Sequence, residues 1–487
     1  MRYLFVTPSG VADTLTGELS ELITIEQLMV SRPGGIIAGR NLYPLLAPLT
    51  HHIRRDVGWT AVPVTQKRKQ KQERVGGIIY FSHFYYRHPK IRVNKVRYRP
   101  ASIKWLVLNL ELFSEGEDIE SAARALVALS ERRKIRPRYS PGSFGAALLR
   151  ASPEWEKGRH AAPRFISDAA REHLPGNYYQ LRHGYRRTDR AYYLDQKSSH
   201  HTIASTIPLP HPNKLRCRGK YRAVEKKKYP IWISAKEISK LKGHVGLLCC
   251  VVECDTIPAE LEHLYPPWAR RRGRHHVWIY TPDLRMFDRR VRLLWVSACF
   301  TSVVPDPVLS EYAKWSLDLL SYDNHPAVKP ALLAAYGMLA VSTDGNIERY
   351  SVHGRTPSPR SELCKLPLIG DVYRSNVKRR QTPVLQNVVA RGVIESETRT
   401  RSIEFARNLE GEGHKVVQIY ADGLLTTAEQ LPFLPDHWRV AAELTHVTSN
   451  HANQINSREM VRLPGIPGGR RTAIIRSSRA LDTTSVT

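Results

Sequence analysis

The stretch KVVQIYADGLL, residues 415–425, decides how the chain is read. Val416, Val417 and Ile419 make a strand-like apolar run, Asp422 and Gly423 interrupt it, and Leu424 resumes it. Gly423 offers the backbone freedom that a tight turn uses, so the stretch predicts a β-hairpin with one carboxylate at its tip. A lone turn acid is ordinary. It becomes chemistry only when other elements bring it partners.

A second acid has a similar setting. Asp195 ends the run AYYLD and precedes SSHHTIAST, which predicts a short helix with Ser198 as N-cap, stopped before Pro208. Free N–H groups at such a helix start are a natural seat for phosphate. Nucleotidyl transfer without a P-loop uses two divalent ions ~3.5–4 Å apart. Mg²⁺ takes a few carboxylates plus phosphate oxygens, so two acids at adjacent strand ends suit it. The third element is KPALLAAYG, 329–337. Helical spacing puts Lys329, Leu332 or Leu333, and Tyr336 along one face, a cation and a ring two turns apart. Taken alone, this is also the pattern of any amphipathic helix.

Composition narrows the partner. The 487 residues carry 74 Lys and Arg against 45 Asp and Glu, a formal net charge of +29. That excess points to a polyanion, nucleic acid before a membrane surface, with a merely solubilising basic surface as the alternative. No apolar run approaches the ~18 residues that span a bilayer, and MRYLFVTPSG does not read as a secretory signal. The six cysteines lack paired C-x-x-C spacing and read as reduced core thiols of a cytoplasmic chain. No G-x-x-x-x-G-K-[ST] loop and no internal repeat occur.

Along the chain, MRYLFVT and GGIIAGRNLYPLLAPL predict a small α/β beginning. Residues 66–100 are dense in Lys and Arg, with Glu73 as the sole acid and aromatics interleaved. Lys67, Arg68, Lys69, Lys71 and Arg97 for phosphates, with Tyr85 and Tyr86 for bases, make a candidate single-strand-binding segment; a solvated loop before an ordinary strand is the alternative. WLVLNLELF predicts a buried strand and EDIESAARALVALSERRK a helix with acids first and bases last. Residues 152–190 read as basic loop. Strands follow at IWIS, HVGLLCCVVEC, HHVWIY and VRLLWVSACF, then helices at PVLSEYAKWSLDLLS and PAVKPALLAAYGMLA. Residues 343–385 read as turn-rich, and LQNVVARGVIESETRTRSIEFARNLEGEG as a long helix with a Gly stop leading into the opening strand.

The three motifs in this order resemble the family B DNA polymerases, in the small phage and linear-plasmid branch that includes protein-primed enzymes. Motif A of that family is Asp, two residues, Ser-Leu-Tyr-Pro; DQKSSHH keeps Asp195 and Ser198 and places His200 where Tyr stands. Motif B is Lys, six residues, Tyr-Gly; Lys329, Tyr336 and Gly337 match. Motif C is Tyr-x-Asp-Thr-Asp; YADGL keeps Tyr420 and Asp422 and has Leu424 in place of the second Asp. With the flanks AREHLPGNYYQLRHGYRRTDRAYYLD and VVARGVIESETRTRSIEFARNLEGEGHKVVQIYADG, the resemblance covers about residues 168–425.

The resemblance implies an α+β right-hand polymerase with palm, fingers and a short thumb behind an N-terminal, degenerate RNase H-like exonuclease domain. The implied domains are 1–167 exonuclease-like, 168–304 palm with motif A, 305–345 fingers, 346–435 insert and palm with motif C, and 436–487 a thumb-like region and tail. Asp195 and Asp422 would be the catalytic carboxylates. Together with the Gln196 carbonyl they would hold two Mg²⁺ or Mn²⁺ ions. Ser198, His200, Lys329, Tyr336 and Gly337 would serve the incoming nucleotide, and Tyr420 the DNA. His200 is smaller than the Tyr it replaces, which bears on sugar discrimination. In the N-terminal region GGIIAGRNLYPLL has Leu45 where the exonuclease acid belongs, MRYLFVTPSG has no acid, and RYSPGSFG lacks the third-segment acid, which implies no proofreading. Implied partners are primer-template DNA, dNTPs and, as candidates, a terminal protein or processivity partner, acting on a monomer. Against an active polymerase stand two other readings: a catalytically inactive polymerase-like binder, and a basic DNA-packaging protein without chemistry.

Overall fold

The computed structural model describes residues 3–7, 10–13, 19–20, 36–39, 60–63, 78–80, 84–87, 104–110, 113, 118–138, 141–156, 159–175, 179–183, 187–219, 233–234, 239, 241–323, 325–341, 346–352, 362–369, 372–378, 385–427 and 433–448. The chain divides into two units, each made of two segments: Met1–Ala161 with Lys314–Gln386, and Ala162–Ala313 with Asn387–Thr487. The helix Pro307–Tyr322 carries the chain from the second to the first.

The first unit is built on an eight-stranded sheet. Tyr3–Thr7 pairs antiparallel with Gly10–Asp13, which pairs with Leu19–Ser20. On its other side Tyr3–Thr7 runs parallel to Ile36–Gly39, and that strand parallel to Lys104–Asn109. Ile78–Tyr80, Phe84–Arg87 and Thr60–Pro63 extend the sheet. Parallel strands are covered on both faces and so read as apolar runs, as Leu4, Phe5 and Ile36 do in the core. The predicted helix spans Ile119–Arg132, started by Asp118, whose carboxylate accepts from the Ser121 N–H at 2.9 Å. Pro141–Arg150 packs on Val328–Leu339 where a Cβ on Gly145 would lie 2.5 Å from the Ala335 nitrogen. Gly145, Ala331 and Ala335 are small because the two backbones touch there. Residues 346–378, expected as turns, instead hold three antiparallel strands, Asn346–Val352, Glu362–Ile369 and Val372–Lys378. The Asn, Glu, Arg, Ser and Lys residues among their Ile, Leu, Tyr and Val leave no clear apolar period to read.

The second unit contains two sheets. The first, fully antiparallel, has the order Trp438–Thr448, Arg187–Gln196, Gly423–Thr427, Lys415–Tyr420, Tyr179–Leu181. One of its faces contributes Tyr192, Leu194, Ile419, Leu424 and Trp438 to a core shared with Ile403, Phe405, Ala406 and Leu409 of the long helix Val388–Gly411. The opposite face gathers Ala191, Tyr193, Val417, Leu425, Ala442 and Leu444. Each fully buried aliphatic side chain contributes roughly 1.5–3 kcal/mol. The second sheet lies between the Asp195 strand and the Pro307 helix in sequence. It joins Arg216–Gly219, Val291–Ser302, Val245–Cys254 and Gly273–Tyr280, with Ile233–Ser234 on Val291–Ser302. Cys249, Cys250, Cys254 and Cys299 are buried, unbridged thiols there, as expected.

The long helix is buried around most of its circumference. Asn387 starts it by accepting from the Ala390 N–H, and Arg399 reaches the buried Asp283 carboxylate at 2.6 Å. Such a buried pair holds only because both charges are matched. Residues 152–190, expected as loop, contain the helix Arg164–Glu172, whose Ile166, Ala169 and Ala170 are buried. Its Arg and Asp content masks a short apolar stripe.

Candidate active site

The hairpin forms as predicted. Lys415–Tyr420 returns as Gly423–Thr427 with Tyr420 opposite Gly423, leaving Ala421 and Asp422 as the two turn residues. The backbone freedom, however, is taken by Ala421, at φ +41°, and not by Gly423. A first turn residue at positive φ matches the twist of a tight hairpin and is strained for a residue with a Cβ. Gly423 is needed for space: a Cβ there would lie 2.5 Å from the Tyr193 hydroxyl.

Asp195 sits one strand away, opposite Gly423 on one side and Arg439 on the other. Backbone hydrogen bonds fix the two acidic strand ends together. The Gln196 N–H donates to the Asp422 carbonyl at 2.8 Å. Ser402, on the long helix, donates to the Ala421 carbonyl at 3.0 Å. The Gln196 side-chain amide donates to Ser402 Oγ at 2.8 Å and to the Thr398 carbonyl at 3.1 Å. At about 0.5–1.5 kcal/mol each, these bonds set the position of the turn more than they stabilise the fold.

Two residues that sequence reasoning missed complete the site. Tyr193 lies two residues before Asp195, so strand alternation puts both on one face. Burial, then Asp195, Asp422 and Tyr420, push the Tyr193 phenol well above its ordinary pKa, against the pull of Arg439, and it stays a protonated donor. Arg439 donates to Asp195 Oδ2 twice, from Nη2 at 2.7 Å and Nε at 3.2 Å. Period-two spacing could have found Tyr193. Nothing local could have found Arg439, 244 residues from its partner.

The remaining expected residues are placed as follows. Ser198 occupies the N-cap position of the helix Ser199–Thr206, but its side chain makes no capping bond; it stands in the left-handed region at φ 46°. Its carbonyl takes the His201 and Thr202 N–H groups. His200 is half-buried and His201 buried. Lys329, Tyr336 and Gly337 belong to the first unit, on Val328–Leu339; Lys329 and Gly337 are exposed and Tyr336 is fully buried. Tyr85 and Tyr86 lie in the strand Phe84–Arg87. Lys67, Arg68, Lys69, Lys71 and Arg97 lie outside the described residues.

Leu424 is fully buried opposite Leu194. The position at which the resemblance would have a second acid is therefore part of the core, and the register leaves Asp422 in the turn. Among the described residues no three His, Cys, Asp or Glu converge to cage a metal. Asp195 and Asp422 are two carboxylates at neighbouring strand ends, and an ion held by so few protein ligands would complete its shell with water and phosphate oxygens.

No protein-family model matches the chain, and no curated protein matches it. Among solved structures it is similar to Phi29 DNA polymerase complexed with primer-template DNA (post-translocation binary complex). That alignment has TM-score 0.56 and 11% identity over 91% of this chain and 85% of that chain. Phi29 DNA polymerase in an orthorhombic crystal form gives TM-score 0.54 and 11% identity over the same shares, 91% and 85%. In an alignment to Phi29 DNA polymerase complexed with single-stranded DNA, the chain spans 60% of that chain at TM-score 0.46 and 14% identity. The chain has a polymerase-like fold. No helix among the described residues is long and apolar enough to cross a membrane.

Proposed function

We propose that the chain is a template-directed DNA polymerase of the family B kind, extending a 3′-OH with dNTPs in phage or plasmid replication. The observation that carries this reading is the bond from the Gln196 N–H to the Asp422 carbonyl, which holds two acidic strand ends together in a polymerase-like fold. Asp195 and Asp422, with the Gln196 carbonyl, would hold Mg²⁺ or Mn²⁺. When bound, the ions would activate the 3′-oxygen and stabilise the leaving pyrophosphate. Ser198 and His200 would line the sugar side of the nucleotide, and Tyr420 the DNA. Lys329 and Gly337, both exposed, would serve the triphosphate and base as the motif B residues, and the fully buried Tyr336 would act by supporting their helix from within. The five-stranded sheet would be the palm, and the Val328–Leu339 helix part of the fingers.

The N-terminal order, three antiparallel strands followed by parallel Ile36–Gly39 and Lys104–Asn109, supports an RNase H-like reading. The missing acids make that domain a DNA-binding remnant without proofreading. A monomer in the cytoplasm, working on primer-template DNA with or without a terminal protein, fits the charge of +29. A buried Leu424 and an arginine on Asp195 favour one competing reading, an inactive polymerase-like binder.

Extension of a primed template with dNTPs and Mg²⁺ separates the two. The wild-type chain extends the primer; Asp422→Ala lowers extension at least about 100-fold and leaves DNA affinity within about twofold. Equal extension by both proteins rejects the catalytic assignment, and no extension by either supports the inactive binder.

A further inference from the structure

We infer that Arg439 is a built-in counter-cation of the candidate metal site: it holds one oxygen of the Asp195 carboxylate, and a divalent ion bound there has to compete with it. The inference rests on the proposed metal role of Asp195.

The pairing is written into the sheet. Arg439 stands directly opposite Asp195 on the neighbouring antiparallel strand, where facing side chains start about 4.5–5.5 Å apart. Trp438, next to it, is buried and anchors the strand. Both guanidinium bonds converge on one oxygen, Oδ2, at 2.7 and 3.2 Å. The Asp195 side chain is 17% exposed, so it is largely withdrawn from competing water, whereas Arg439 is 49% exposed. The arginine can therefore leave with its charge going into solvent, and its stem needs no new pocket.

The charge balance agrees. Asp195 and Asp422 supply two negative charges, Arg439 returns one positive charge, and Leu424, in the core, supplies none. These three charged residues thus sum to one net negative charge. A motif C with both acids and no such arginine would carry three. With so little negative charge, the site favours a single strongly held ion, and Arg439 raises the ion concentration needed to load it.

The test is Mn²⁺ binding to the full chain, read from the free-ion signal in electron paramagnetic resonance, without DNA or nucleotide. Arg439→Gln is expected to bind Mn²⁺ about three- to tenfold more tightly than wild type, the range for loss of a half-exposed ion pair. Arg439→Met, neutral with a similar stem, gives the same gain and serves if the glutamine variant does not fold. Arg439→Lys keeps the charge but not the paired N–H bonds, and its affinity is expected between wild type and the neutral variants. Adding Asp195→Asn to Arg439→Gln removes the gain. Neutral variants that bind no more tightly than wild type, while Asp195→Asn still weakens binding, overturn the role of Arg439 and leave the metal site standing. Binding indifferent to both Asp195→Asn and Asp422→Asn overturns the metal site and the inference together.

Discussion

Tyr3–Thr7 and Arg187–Gln196 are both inner strands of their sheets, and both bury their middle residues, Leu4 and Phe5 in one, Tyr192 and Leu194 in the other. They differ at their ends. The first runs out through Thr7 with no acid on it, and its parallel neighbour Ile36–Gly39 has none either. The second ends at Asp195 and Gln196 beside a turn carrying Asp422. Both strands are packed alike, and of the two only the second carries a carboxylate at its end. Burial and strand pairing depend on apolar area and do not need the acids. Two sheets can therefore be packed equally well while only one presents acids at neighbouring strand ends.

The sharpest way to break this contrast is to put the missing acid back. Leu424→Asp restores the motif C pattern, but into a site opposite Leu194 that is wholly buried. The expected result is a loss of roughly 3–5 kcal/mol in urea unfolding, with no gain in extension. A stable variant with faster extension would mean that the hairpin can change register, and that the core assignment of Leu424 is wrong. Gly423→Ala comes next. Its methyl group meets the Tyr193 ring, and overpacking of this kind costs about 1–3 kcal/mol. Tyr193→Phe, lacking the nearest atom, should relieve part of that loss in a double-mutant cycle; full additivity would mean the two residues do not touch.

A smaller effect lies at the foot of the hairpin. Glu410 accepts from Arg182 at 2.5 Å and from the Val416 N–H at 2.7 Å, tying the long helix to the strand Lys415–Tyr420. Burial alone would raise its pKa, but the His263 ring 3.8 Å away and the bonds from Arg182 and the Val416 N–H outweigh it, and the net shift is downward from 4.5. A carboxylate depressed in the folded state stabilises above its unfolded value and loses that contribution as pH falls through the folded one. Glu410→Gln should thus flatten stability against pH below 4.5 and cost about 1 kcal/mol near neutrality. An unchanged acid limb in pH-dependent melting would remove Glu410 from this role. At the bottom of the scale stands an expected effect of zero: the purified chain should not remove a mismatched 3′ nucleotide in the presence of Mg²⁺. Release of that nucleotide would reject the reading of the N-terminal region as non-proofreading.

Much of the frame was legible because its signals are local. The hairpin, the long helix with its Gly stop, and the strand HVGLLCCVVEC announce themselves through periodicity and turn residues. The helix Arg164–Glu172 and the strands of 346–378 did not, because charged and polar residues are frequent in their sequences and dilute a short pattern. At the site, the acids were visible as breaks in apolar runs. Gly423 was visible but its reason was not, since the need for space comes from a ring on another strand. Arg439 looks like any basic residue of a basic chain until the register places it across from Asp195.

That register also sets a schedule for synthesis. Arg187–Gln196 takes both its neighbours, Gly423–Thr427 and Trp438–Thr448, from the far end of the chain. Asp195 and Arg439 are 244 residues apart, so at about 5–20 residues per second a ribosome needs on the order of 12–50 s to supply the second after the first. Through that interval Tyr192 and Leu194 emerge on a strand with two open edges, the form most prone to pair with a neighbouring nascent chain. Yield of folded protein should therefore depend on translation speed and chaperone supply more than the stability of the finished sheet would suggest.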